Sequence, residues 1–126
     1  MRGPGIAIVF AVLAGAGAAH AQRATERYIP LGQSPGVSGP RTVIGTIVAV
    51  EPSERRIDLE GPAGRASVRL EESTPVWIDR HAAGLPSETG SFADCQVGRM
   101  AEVAYADPEA RQHAAWLKLR AEAPAP

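Results

Sequence analysis

The stretch Thr42 to Val50, TVIGTIVAV, restricts the fold more than any other part of the chain. β-Branched residues dominate it, and apolar side chains fall on both of its faces, as a central strand covered on each side requires. Such a segment needs neighbours on both edges to satisfy its backbone groups. Gly45 interrupts the run and predicts a bulge or a sharp bend.

The residues that follow supply those neighbours. PSER (52–55) reads as a turn, and Arg56–Glu60 and Arg65–Leu70 alternate cleanly around GPAG as a hairpin. Centring that hairpin on Pro62-Ala63 sets Ile57 against Val68 and Leu59 against Ala66 on the buried side. Glu60 then opposes Arg65 on the wet side, a favourable cross-strand pair. Pro75 breaks the run before VWID, a short edge-like segment, and 80–90 reads as loop. Ser91 with Asp94 in the capping-box position predicts a short helix that Gly98 ends. MAEVAYA (100–106) is a further strand.

The last element carries two signals. PEARQHAAWLKLRAEA has helical propensity, yet Ala115, Leu117 and Leu119 alternate against Trp116, Lys118 and Arg120. Strand is the better choice, because the preceding strand otherwise lacks a partner. The predicted fold is mainly β: a small five-stranded OB-like Greek-key barrel over 42–121, with one short helix between strands three and four. An open β-sandwich or an SH3-like roll would use the same elements.

The ends of the chain are of another kind. Arg2, an apolar run from Ile6 to about Ala19 and the small-x-small triplet Ala19-His20-Ala21 have the form of a secretory signal peptide over 1–21. The run is short for a membrane span, which needs about 20 apolar residues. Cleavage before Gln22 implies a periplasmic or secreted product without a transmembrane segment. Residues 22–41, rich in proline and glycine, read as a flexible tail or linker, and 122–126 as a disordered C-terminus. Tyr28-Ile29-Pro30-Leu31 is the tail's one apolar cluster, expected to lie across the barrel's outer face against at least one tryptophan. Cys95 is the only cysteine, so no internal disulfide forms and the fold rests on its core.

From Val43 to Arg120 the chain resembles small exported bacterial domains of unknown function with OB-like folds. The matching pieces are Gly45-Thr46-Ile47, Val50, and Gly98 with Ala101 and Val103. The tail RYIPLGQSPGVSG is similar to the leaders of uncharacterised exported proteins. The resemblance implies architecture and no activity.

Candidate chemistry is sparse. In VWIDRH (76–81), Asp79, Arg80 and His81 sit at a strand exit, where charged residues ordinarily solvate the chain end, and no serine lies in a nucleophile elbow. No catalytic residue is assigned. His81, His113 and Cys95 lack metal-ligand spacing, so no metal or other cofactor is assigned. Nucleic acid is a poor partner, because the outward hairpin positions carry mixed charge and no aromatic. Trp77 and Trp116 remain, both on the side of their strands opposite the aliphatic positions. With Tyr28 they form the candidate binding set, although burial under the tail or helix would explain the tryptophans equally well. The expected function is therefore a non-enzymatic binding or assembly module for an envelope protein or polymer. The runner-up is a metal-handling protein using His81, His113 and Cys95.

Overall fold

A computed structural model of the protein describes residues 26–34 and 41–121; the predicted leader (1–21) and C-terminus (122–126) lie outside the described residues. The chain forms a mainly β structure with strands β1 (Thr42–Glu51), β2 (Arg56–Gly61), β3 (Gly64–Arg69), β4 (Val76–Asp79), β5 (Glu88–Thr89), β6 (Met100–Tyr105) and β7 (Ala114–Arg120). They join in one mixed seven-stranded sheet of order β3-β2-β1-β6-β7-β4-β5. Only the β4–β7 pairing is parallel.

β1 holds the centre that its two-sided apolar pattern calls for, pairing with β2 on one edge and β6 on the other. The irregularity comes after Gly45, between Ile47 and Ala49. Gly45 serves a different need: a Cβ there would lie 2.8 Å from the carbonyl oxygen of Glu60. The absent side chain lets the backbones of β1 and β2 press together where the sheet curls. The curl gathers one apolar cluster from β1, β2, β3, β4, β6 and β7, with Ile47, Ile57, Val68, Val103, Leu117 and Leu119 fully buried. The hairpin register pairs Ile57 with Val68, Leu59 with Ala66 and Glu60 with Arg65.

Three features depart from the five-stranded barrel. First, the sheet does not close. The end of β3 reaches His113 through a single parallel bridge from Arg69. Residues 70–75 then leave the sheet at Pro75, which has no N–H to donate, and β4 takes over as the parallel partner of β7. VWID is thus an interior strand, and the two-residue β5, inside the stretch read as loop, forms the edge. Second, the sheet has seven strands because β4 and β5 add to the five counted from the main pattern. Third, the predicted helix is a single 3-10 turn, Phe92–Asp94. Ser91 N–H does donate to Asp94 Oδ2 at 2.8 Å. Cys95, however, is already extended and points into the core, and so short a segment cannot offset helix nucleation. Among the described residues no helix is long and apolar enough to cross a membrane.

Candidate functional site

The outer face of the sheet holds the chain's most unusual grouping. Lateral register places Ile44, Glu102, Lys118 and Trp77 in one row across β1, β6, β7 and β4. Thr42, Ala104 and Trp116 form the next row. By alternation these side chains point away from the apolar core. Yet Glu102 and Lys118 are fully buried, because residues 26–34 lie over them as a strap.

The strap is fastened mainly by polar contacts. Lys118 Nζ donates to Glu26 Oε1 at 2.9 Å and to Ser34 Oγ at 2.8 Å. Ser34 Oγ in turn donates to Glu26 Oε1 at 2.7 Å, closing a triangle around the ammonium. Gly32 N–H donates to Glu102 Oε1 at 3.1 Å, and Leu31 N–H to Asp79 Oδ2 at 2.7 Å. Leu31 is the apolar anchor, buried to 8% exposure. The apolar cluster expected to hold the tail therefore divides, with Leu31 inside and Tyr28 64% exposed.

The tryptophans stand beside this hub. Trp77 and Trp116 pack with ring centroids 5.9 Å apart and planes tilted by 37°. Lys118 Nζ lies 4.6 Å from the Trp116 ring centre, so one cation is shared between an aromatic face and the strap. Both indoles are only 7% exposed. They form a small apolar cluster with Ala104, not an open cleft, and Tyr28 lies apart from them under the guanidinium of Arg27.

Electrostatics distinguishes the two carboxylates that receive strap amides. Burial, the largest influence, pushes the Glu102 carboxyl above its ordinary value, and neighbouring Glu26 and Asp79 add to that; Gly32 N–H and Lys118 oppose it without prevailing. Its Oε2 is buried without a hydrogen-bond partner. At Asp79 burial also pushes upward as the largest single influence. The Leu31 and His81 amides and the His81 ring together outweigh it and hold the carboxyl below its ordinary value. His81 Nδ1 sits 2.5 Å from Asp79 Oδ1.

The residues of VWIDRH thus have separate tasks. Trp77 packs, Asp79 receives the strap, Arg80 pairs with Glu88 at 3.1 Å and His81 braces Asp79. His113 pairs with Glu71 at 3.3 Å near the end of β3, and Cys95 is buried in the core, its thiol pushed up to about 12 chiefly by burial. Among the described residues no group of three or more His, Cys, Asp or Glu side chains is placed to hold a metal ion. Glu26, Ser34, Glu102 and Lys118 escape a reading by alternation, which assigns outward charges to water. The available signal is a charge inside a run that is apolar on both faces, as in MAEVAYA and AAWLKLR.

Comparison with protein families, with curated proteins and with solved structures finds no match to this chain.

Proposed function

We propose that the protein is a non-enzymatic, exported binding or assembly module for a protein or an envelope polymer, and that it engages its partner through the strapped face. The observation supporting this reading is the burial of Lys118 and Glu102 on an outward face by a segment outside the sheet. A surface designed for water would not carry an apolar tryptophan pair next to fully buried charges. The strap displays what a partner must bring: a carboxylate and a hydroxyl for Lys118, and backbone amides for Asp79 and Glu102. Partner binding exchanges one set of hydrogen bonds for an equivalent one, so displacement need not leave a buried charge unpaired.

The metal-handling alternative draws no support from the geometry, since His81, His113 and Cys95 have separate surroundings. Native mass spectrometry of the protein recovered from its own cell envelope would report metal and partner together, and N-terminal sequencing should begin at Gln22. Hydrogen exchange of the recovered complex then tests the strapped face. Leu31 and Gly32 amides should lose protection when the partner binds, while β6 and β7 stay protected. Unchanged exchange of those two amides in the complex would exclude this face as the binding surface.

A further inference from the structure

We infer that the free edge of β3 binds an acidic polypeptide segment, which adds to the sheet as an extra strand and is held by a cluster of arginines. This surface shares no residue with the strapped face, so the inference goes beyond the reading above.

The edge is open for a definable reason. Arg69 N–H donates away from β2, to Gln112 O at 2.9 Å. In an antiparallel pair, residues whose amides point away from the partner recur at every second position. Ser67 and Arg65 therefore also aim their N–H and C=O groups at the free edge, where no described residue receives them. The Arg69–His113 bridge holds the two segments together at one end only. No further bridge among the described residues joins β3 to the 111–113 segment, and Arg65, Ser67 and Arg111 border one opening.

Two adjoining cavities of about 380 Å³ and 300 Å³ occupy this region and meet at Ser67. Arg56, Arg69 and His113 line the first; Arg65, Tyr105 and Arg111 line the second. Among the described residues no carboxylate lines either one. Arg65 and Arg69 lie four residues apart on β3 with Ser67 between them, so both share one face and match every second side chain on the facing side of an added strand. Arg111 is held with φ at +50°, an uncommon conformation for a residue with a side chain, and its guanidinium lies 4.8 Å from the Tyr105 ring centre.

Carboxylates do stand behind these cations. Glu54 pairs with Arg56 and Arg69, Asp58 with Arg56 and more loosely with Arg65 at 3.6 Å, and Glu71 with His113. Ser67 Oγ also donates to Asp58 Oδ1 at 2.7 Å. Arg56 is the most fully engaged of them, with Nε 3.3 Å from Asp58 Oδ1 and Nη1 bonded to both Glu54 carboxylate oxygens at 3.1 Å. Arg65 and Arg69 each meet one carboxylate, and with five donors apiece they keep others to face an incoming acid. Free backbone groups along the edge favour a polypeptide over other polyanions, because strand addition uses main-chain hydrogen bonds and side-chain charge together.

The test uses the mature chain and a fluorescent peptide of roughly six to eight residues alternating threonine and glutamate. Anisotropy should show binding that weakens as salt rises from about 20 mM to about 500 mM. Alternating threonine–glutamine and threonine–lysine peptides should not bind. Replacing both Arg65 and Arg69 by Gln should weaken binding by about tenfold or more. N-methylation of alternate peptide amides should abolish it in one of the two registers. Ser67→Pro should do the same by removing the edge donor, with circular dichroism confirming the sheet. Should that variant fail to fold, the N-methylated peptides still decide. Failure of the acidic peptide to bind at low salt would overturn the inference. So would equal binding of polygalacturonate with no effect of N-methylation, which would mark a general polyanion site. Neither outcome bears on exchange of the strap amides, which the strapped-face reading predicts separately.

Discussion

Replacing Glu26 by Gln separates the charge of the strap from its shape. The carboxylate meets Lys118 Nζ at 2.9 Å, with the lysine side chain only 2% exposed and that of Glu26 15% exposed. Removing one partner of a buried ion pair ordinarily costs about 3–5 kcal/mol, because the other charge stays desolvated. Two features reduce that cost here. Ser34 Oγ still accepts from Lys118 at 2.8 Å, and a strap that lies outside the sheet can lift and return the ammonium to water. The loss is therefore bounded by the docking energy of the strap, and we expect about 2 kcal/mol, below the range for a pair that cannot relax. At about 1.4 kcal/mol per tenfold, that is roughly 30-fold in the population of the released strap. Site-resolved hydrogen exchange should show Leu31 and Gly32 amides accelerating by that factor. Val68 in the hairpin should not change, and tryptophan emission should move to the red as Lys118 leaves the Trp116 ring. Parental exchange rates at Leu31 and Gly32 would refute the assignment of Glu26 as the clasp.

Further expectations concern titration, packing and the thiol. The Asp79 carboxyl lies below its ordinary value of 3.8, so its stabilising contribution is present above that pH and is lost as pH falls through the folded value. Asp79→Asn should flatten the acid limb of a urea-midpoint profile. Glu102 lies above its ordinary 4.5, so its contribution is fully present below 4.5 and is lost as pH rises through the folded value. Glu102→Gln should flatten that decline, and curves parallel to the parent would contradict both assignments. Gly45→Ala forces a Cβ to within 2.8 Å of the Glu60 carbonyl and should lower stability by about 1–3 kcal/mol, read from denaturant melts. Cys95, buried with its thiol pushed up to about 12, should react with a thiol reagent only as fast as the protein opens; rapid native labelling would show the thiol to be accessible.

The positions and facing of the main strands can be read from the residues because both depend on local alternation. Ile57 and Leu59 face inward together, the GPAG turn sets their register against Val68 and Ala66, and β7 is a strand because Leu117 and Leu119 repeat at a period of two. Local pattern also places Trp77, Trp116 and Lys118 on the outer side. It cannot say whether that side is wet. Lys118 is buried by Ser34, 84 residues away in the chain, and Glu102 by Gly32, 70 residues away. Strand partnership is non-local in the same way: β4 looks like an edge from its length and the preceding proline, but becomes interior because β7 offers it a parallel edge and β5 covers the other. The sequence by itself determines which way each side chain points, since that depends on backbone geometry within a few residues. Only the tertiary structure decides what lies opposite, since that depends on where distant segments come to rest.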